Sequence, residues 1–112
     1  MDWKIKFDDE LQTAADARAH GNQGQARVCA RRAAGIVIRE YYQRREISVR
    51  TSSAYDLLMG FLEIPDLPAA ARQAVEYLTL RVTEEFKLPV AVDLVMEARN
   101  LAESLLPGAS QR

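Results

Sequence analysis

Between Gln23 and Arg45, apolar and small residues return every three or four positions: Ala26, Ala30, Ala33, Ala34, Val37, Ile38 and Tyr41. That spacing predicts a helix over the whole segment, with one continuous apolar stripe. Val28, Cys29, Ile36 and Tyr42 widen the stripe beyond a single seam. A helix that is apolar on two sides is central to its domain or is covered by a second subunit. The small residues Ala30, Ala33, Ala34 and Gly35 let another backbone come close. In a chain of 112 residues, a rod this long dictates how everything else must pack.

The remaining segments also show helical periods. Strand signals are missing, because Trp3 to Phe7 alternates with period two but stands too isolated to make a sheet. Residues 1–8 are expected as an extended lead-in whose aromatics cover the core. A first helix is expected from Asp9 to Ala19, capped by Asp8 or Asp9 and stopped by His20-Gly21-Asn22. Ser53 caps a third helix, with Asp56 in a capping-box position and Leu57, Leu58, Phe61 and Leu62 facing in. Ile64-Pro65 ends it. Asp66 is expected to cap a fourth helix, with Pro68 in its first turn and a stripe of Ala71, Ala74, Val75, Leu78, Val82 and Phe86. Pro89 opens a fifth, which buries Val92, Val95, Ala98, Leu101, Ala102 and Leu105 and stops at Pro107-Gly108. Residues 107–112 are a polar tail. The expectation is one all-α domain spanning residues 1–112, an up-and-down bundle of about five helices.

Chemistry is narrowed by what the chain lacks. Its one histidine, His20, is expected at a helix end, beside terminal carbonyls and with no nucleophile partner. Its one cysteine, Cys29, lies in the alanine-rich helix as a small buried hydrophobe. One histidine and one cysteine provide no ligand-spaced pair for zinc, and Glu84 and Glu85, being adjacent, diverge on a helix. There is no P-loop, so neither a catalytic set, a metal nor a cofactor is expected. No apolar run approaches a bilayer span, and the N-terminus lacks the layout of a secretory signal, so a cytoplasmic protein off the membrane is expected.

Charge is unevenly spread. The chain carries a net charge of -1, yet residues 27–50 hold seven arginines against Glu40 and Glu46, a net of +5. Every cation there is arginine, which binds phosphate or carboxylate through a planar fork. Arg27 and Arg31 lie one turn apart, and Arg32 and Arg39 two turns apart on a neighbouring line. With Arg44, Arg45, Arg50 and the nearby Tyr55, they are the candidate ligand- or phosphate-binding residues, expected as a basic strip along the long helix and its loop. Tyrosine can stack on bases, and Tyr41, Tyr42 and Tyr55 lie in or near this strip, although core packing accounts for them as well.

The pattern Ala14-Ala15-Asp16-Ala17-Arg18, Gly21-Asn22, Ala26, Ala30-Arg31-Arg32-Ala33-Ala34-Gly35 resembles the first two helices of HEPN domains. Tyr55-Asp56-Leu57-Leu58 resembles that family's His-(Asp/Ser)-Leu segment, and Ala91 to Leu106 is similar to its final helix. The resemblance implies a helical bundle, often a homodimer. It also implies an RNA-cleaving unit, a partner of a minimal nucleotidyltransferase in a toxin–antitoxin module, or an inactive binding unit. The nuclease pattern of the family pairs an arginine with a later histidine, with four to six residues between them. Here Thr13, Ala14 and Ala15 stand at those positions before His20, and Tyr55 stands where His-Asp-Leu would begin. The expected function is therefore a non-catalytic HEPN-like domain binding a nucleotide, RNA or protein partner through its arginines. The alternative is a protein–protein interaction module with no nucleotide role.

Overall fold

The computed structural model describes residues 2–81 and 92–107. Over these residues the chain forms five helices: α1 (Trp3–Ala19), α2 (Gln23–Arg44), α3 (Ala54–Phe61), α4 (Ala69–Leu78) and α5 (Leu94–Leu105). No strand occurs among the described residues. The all-helical bundle and the central α2 follow the sequence pattern. Helix α2 touches each of the other four, whereas α3 meets only α2 and α4.

The start of the chain differs from expectation. Helix α1 begins at Trp3, and the Asp2 carboxylate caps it by accepting the Lys4 N–H. Trp3, Phe7, Leu11 and Ala14 recur at four- and three-residue spacing, so they share one helix face. Phe7 and Leu11 are buried, and Trp3 packs edge-on against Phe7 with ring centroids 5.8 Å apart. Burying that face outweighs the local alternation. The aromatics do cover the core, but from a helix.

Both long helices end in the same motif. At the end of α1, the Asn22 N–H donates to the Ala17 carbonyl and the Gly21 N–H to that of Arg18, with Gly21 at φ +80°. At the end of α2, the Ile47 N–H donates to the Tyr42 carbonyl and the Glu46 N–H to that of Gln43. These are Schellman caps, whose turning residue must enter the left-handed region. Glycine does so freely at residue 21; Glu46 does so at φ +59° with a full side chain. Asn22, part of the expected stop, is also the N-cap of α2, its side chain accepting the Gln25 N–H.

Ser53 caps α3 as expected, accepting the Asp56 N–H. Helix α4 starts later than predicted, with Pro68 as its N-cap rather than Asp66. Asp66 sits at φ +63° within the turn, whereas a helix N-cap takes extended backbone. Arg72 explains the position of that turn: its guanidinium donates to the carbonyls of Leu62 and Ile64, tying the end of α3 to α4. Asp93 caps α5 by accepting the Val95 and Met96 N–H groups. Helix α4 ends at Leu78, where the stripe predicted a run on through Val82 and Phe86, and α5 starts at Leu94 rather than at Pro89; Val82, Phe86, Pro89 and Gly108 themselves lie outside the described residues.

The core is built of Leu11, Ile38, Leu58, Phe61, Val75, Leu78 and Leu101, packed against the alanines of α2. Gly35 lets α3 approach closely, since a Cβ there would lie 3.2 Å from that of Ala54.

Candidate anion-binding corner

The seven arginines of residues 27–50 do not form one strip. At about 100° per residue, Arg27 and Arg31 fall near one line of α2, with the C-cap Arg45 close to the same line, while Arg32 and Arg39 lie roughly a third of a turn away. Arg44 falls about as far round on the other side. Their partners differ accordingly. Arg39 donates to the Thr51 carbonyl at 2.9 Å and so holds the loop before α3. Arg44 pairs with Glu40 at 2.8 Å on the exposed surface. The Arg45 guanidinium lies 4.5 Å from the centre of the Tyr41 ring. Arg32 is exposed in a groove between α1 and α2, beside Glu10 and Cys29. Arg50 stands exposed in the following loop.

Arg27, Arg31 and Tyr55 are brought together, and Arg81 joins them. Arg31 is half-buried and reaches across to the end of α4, where Nε donates to the Leu78 carbonyl and Nη2 to that of Leu80, both at 2.7 Å. The Leu78 carbonyl belongs to the last turn of α4, which leaves it without an intrahelical partner, and that of Leu80 lies two residues beyond; a cation suits this end because it carries partial negative charge. The same grip fixes the backbone just before Arg81. From there the Arg81 guanidinium lies 4.8 Å from the centre of the Tyr55 ring, in the first turn of α3. Burial pushes the Arg31 guanidinium below its usual value; proximity to Arg27 and Arg81 acts in the same direction, and Tyr55 opposes it. Among the described residues, no carboxylate lies within ion-pair distance of Arg27, Arg31 or Arg81.

Arg81 was missed at the sequence level because it lies outside the arginine-rich segment. No sequence signal marked it, because the predicted stripe carried the fourth helix on through Val82 and Phe86 and so placed Arg81 inside that helix.

The other reactive groups have structural partners. His20 Nδ1 lies 2.8 Å from the Asp16 carbonyl at the end of α1. Cys29 is buried; its thiol is pushed up by that burial and by Glu10, and Gln25 Nε2 lies 3.6 Å from Sγ. Among the described residues, no cluster of His, Cys, Asp or Glu could hold a metal ion, and no helix is long and apolar enough to cross a membrane. Glu84 and Glu85 lie outside the described residues.

Comparison of the chain with protein-family profiles, with curated proteins and with solved structures gives no match.

Proposed function

We propose that this chain is a non-catalytic, HEPN-like binding domain that takes a phosphate-bearing ligand, a nucleotide or RNA, at the corner formed by Arg27, Arg31, Arg81 and Tyr55. The observation that carries this reading is three neighbouring guanidiniums with no carboxylate among their described partners. Like charges held together favour a multivalent anion, and arginine offers phosphate two parallel hydrogen bonds. Arg31 spends Nε and one Nη2 hydrogen on helix carbonyls, so it sets the field and the frame. Arg27 and Arg81 supply the forks, since neither donates a hydrogen bond to another of the described residues. A two-gene module with a nucleotidyltransferase-like partner, and a homodimer, are consistent with the family resemblance.

The test is equilibrium binding of a labelled single-stranded RNA and of a nucleotide at increasing salt. Affinity is expected to fall steeply with salt, because phosphate contacts release counterions. The pair Arg27→Ala and Arg81→Ala should remove binding, while Arg32→Ala and Arg44→Ala leave it intact. Binding that survives the first pair, or capture of an acidic protein with no nucleotide bound, overturns the proposal.

A further inference from the structure

We infer that a second site, the cleft between the end of α2, the α3–α4 turn and the end of α5, binds a small apolar zwitterion, with Arg45 holding its carboxylate and Asp66 its ammonium group. None of the described residues lining this cleft belongs to the anion-binding corner. Its volume is about 410 Å³, toward the small end of the range for ligand pockets. The apolar lining is Tyr41, Ile64 and Leu67, each half-buried, the buried Leu105, and Ile47, a large apolar side chain left 42% exposed. Two charged groups complete it, Arg45 and Asp66. They carry opposite signs, yet they lie beyond ion-pair distance of each other, and no described residue bonds to the Asp66 carboxylate. The Arg45 guanidinium rests against the Tyr41 ring, which steadies it and leaves its N–H groups without an acceptor among the described residues.

The frame is fixed before any ligand arrives. Glu46, next to Arg45, turns the chain at φ +59° and returns Ile47 to the Tyr42 carbonyl, and Asp66 turns it at φ +63° on the opposite wall. Arg72 holds the carbonyl of Ile64. Charge complementarity then selects the occupant. A carboxylate alone satisfies Arg45 and meets Asp66 with like charge; an amine alone does the reverse. A molecule bearing both groups on an apolar body meets each charge with its opposite and covers Ile47. Free amino acids with a branched or aromatic side chain have this chemistry, and so do short apolar peptides.

The experiment is titration of the isotope-labelled full chain with phenylalanine, phenylpropionate, phenethylamine, glycine and the dipeptide of two phenylalanines, followed by nuclear magnetic resonance. Phenylalanine should shift the signals of Ile47, Leu67 and Leu105. Phenylpropionate, without the ammonium group, and phenethylamine, without the carboxylate, should each bind about fivefold more weakly. Glycine, without the apolar side chain, should bind at least about tenfold more weakly. Asp66→Asn keeps a residue that accepts left-handed backbone, so the turn survives, and it should abolish the preference for phenylalanine over phenylpropionate. Arg45→Gln should abolish the preference over phenethylamine, and Arg81→Ala, at the other site, should change neither. A dipeptide tighter than phenylalanine identifies peptide as the source; a weaker one identifies the free amino acid. Equal binding of phenylalanine and its two singly charged analogues, shifts confined to another part of the molecule, or no binding of any of them overturns the inference and leaves the phosphate reading untouched.

Discussion

Arg31 and Leu80 are 49 positions apart in the chain, and a 2.7 Å hydrogen bond from the guanidinium of one to the carbonyl of the other joins α2 to the end of α4. Together with the bond to Leu78, it turns an arginine that reads as a surface charge into part of the frame. The distinction between Arg31 and its sequence neighbours is therefore measurable in stability rather than in charge.

Arg31→Ala is expected to destabilise the domain by about 2 kcal/mol, since two charge-assisted hydrogen bonds to a helix end are lost. Arg31→Lys, with one point donor in place of a fork, should fall between. Exposed Arg32→Ala should lie within about 0.5 kcal/mol of wild type. Urea denaturation of the three variants checks the order.

The two Schellman caps make opposite predictions. Gly21→Ala places a Cβ at φ +80° and should cost about 1 kcal/mol. Glu46→Gly removes one at φ +59° and should gain roughly 0.5 kcal/mol, the relief being offset in part by a more flexible unfolded chain. Melting temperatures of the two variants should move in opposite directions.

At the α2–α3 contact, Gly35→Val is expected to destabilise by about 1–3 kcal/mol, because Ala54 already lies where the new side chain must go. Pairing it with Ala54→Gly should restore part of the loss, which a double-mutant cycle measures.

Acid stability is linked to the joint between α1 and α5. Arg18 Nη1 lies 2.7 Å from Asp93 Oδ1. Burial alone would raise the Asp93 carboxyl, but the hydrogen bonds from Arg18 and from the Met96 and Val95 amides outweigh it and hold it below the ordinary value. A depressed carboxyl stabilises the fold above its unfolded pKa, near 3.9, and that contribution is lost as pH falls through the lower folded value. Asp93→Asn can still cap α5 but cannot titrate. Its melting temperature should trail wild type at neutral pH and converge with it in acid.

Thiol labelling reports the packing of Cys29. With its thiol buried and its pKa raised, it should react with a disulfide reagent far more slowly than a free thiol, at a rate that rises with denaturant.

The helices were legible wherever apolar spacing and a cap agreed. Gln23 to Arg44 and the Ser53-capped α3 are the clear cases, because burial and local propensity point the same way there. Trp3 to Phe7 satisfied two periods at once, and only the continuation through Leu11 and Ala14 decides between them. Asp66 carried the right residue type for a cap, but the backbone it adopts is set by how Arg72 ties the α3–α4 turn. The arginines were legible as charge and illegible as partners. Carbonyls at the end of α4 carry no sequence signature, so nothing distinguished Arg31 from Arg32 before the helices were placed. Arg81 entered the corner for the same reason.

The position of α2 against all four other helices also governs how the molecule opens. Amide protons around Ala33 to Ile38 can reach deuterated solvent only when the whole assembly comes apart, so their exchange should report global unfolding. Helix α3 borders only α2 and α4, yet it brings Leu58 and Phe61 into the core, so Tyr55 stays beside Arg31 for as long as that core holds.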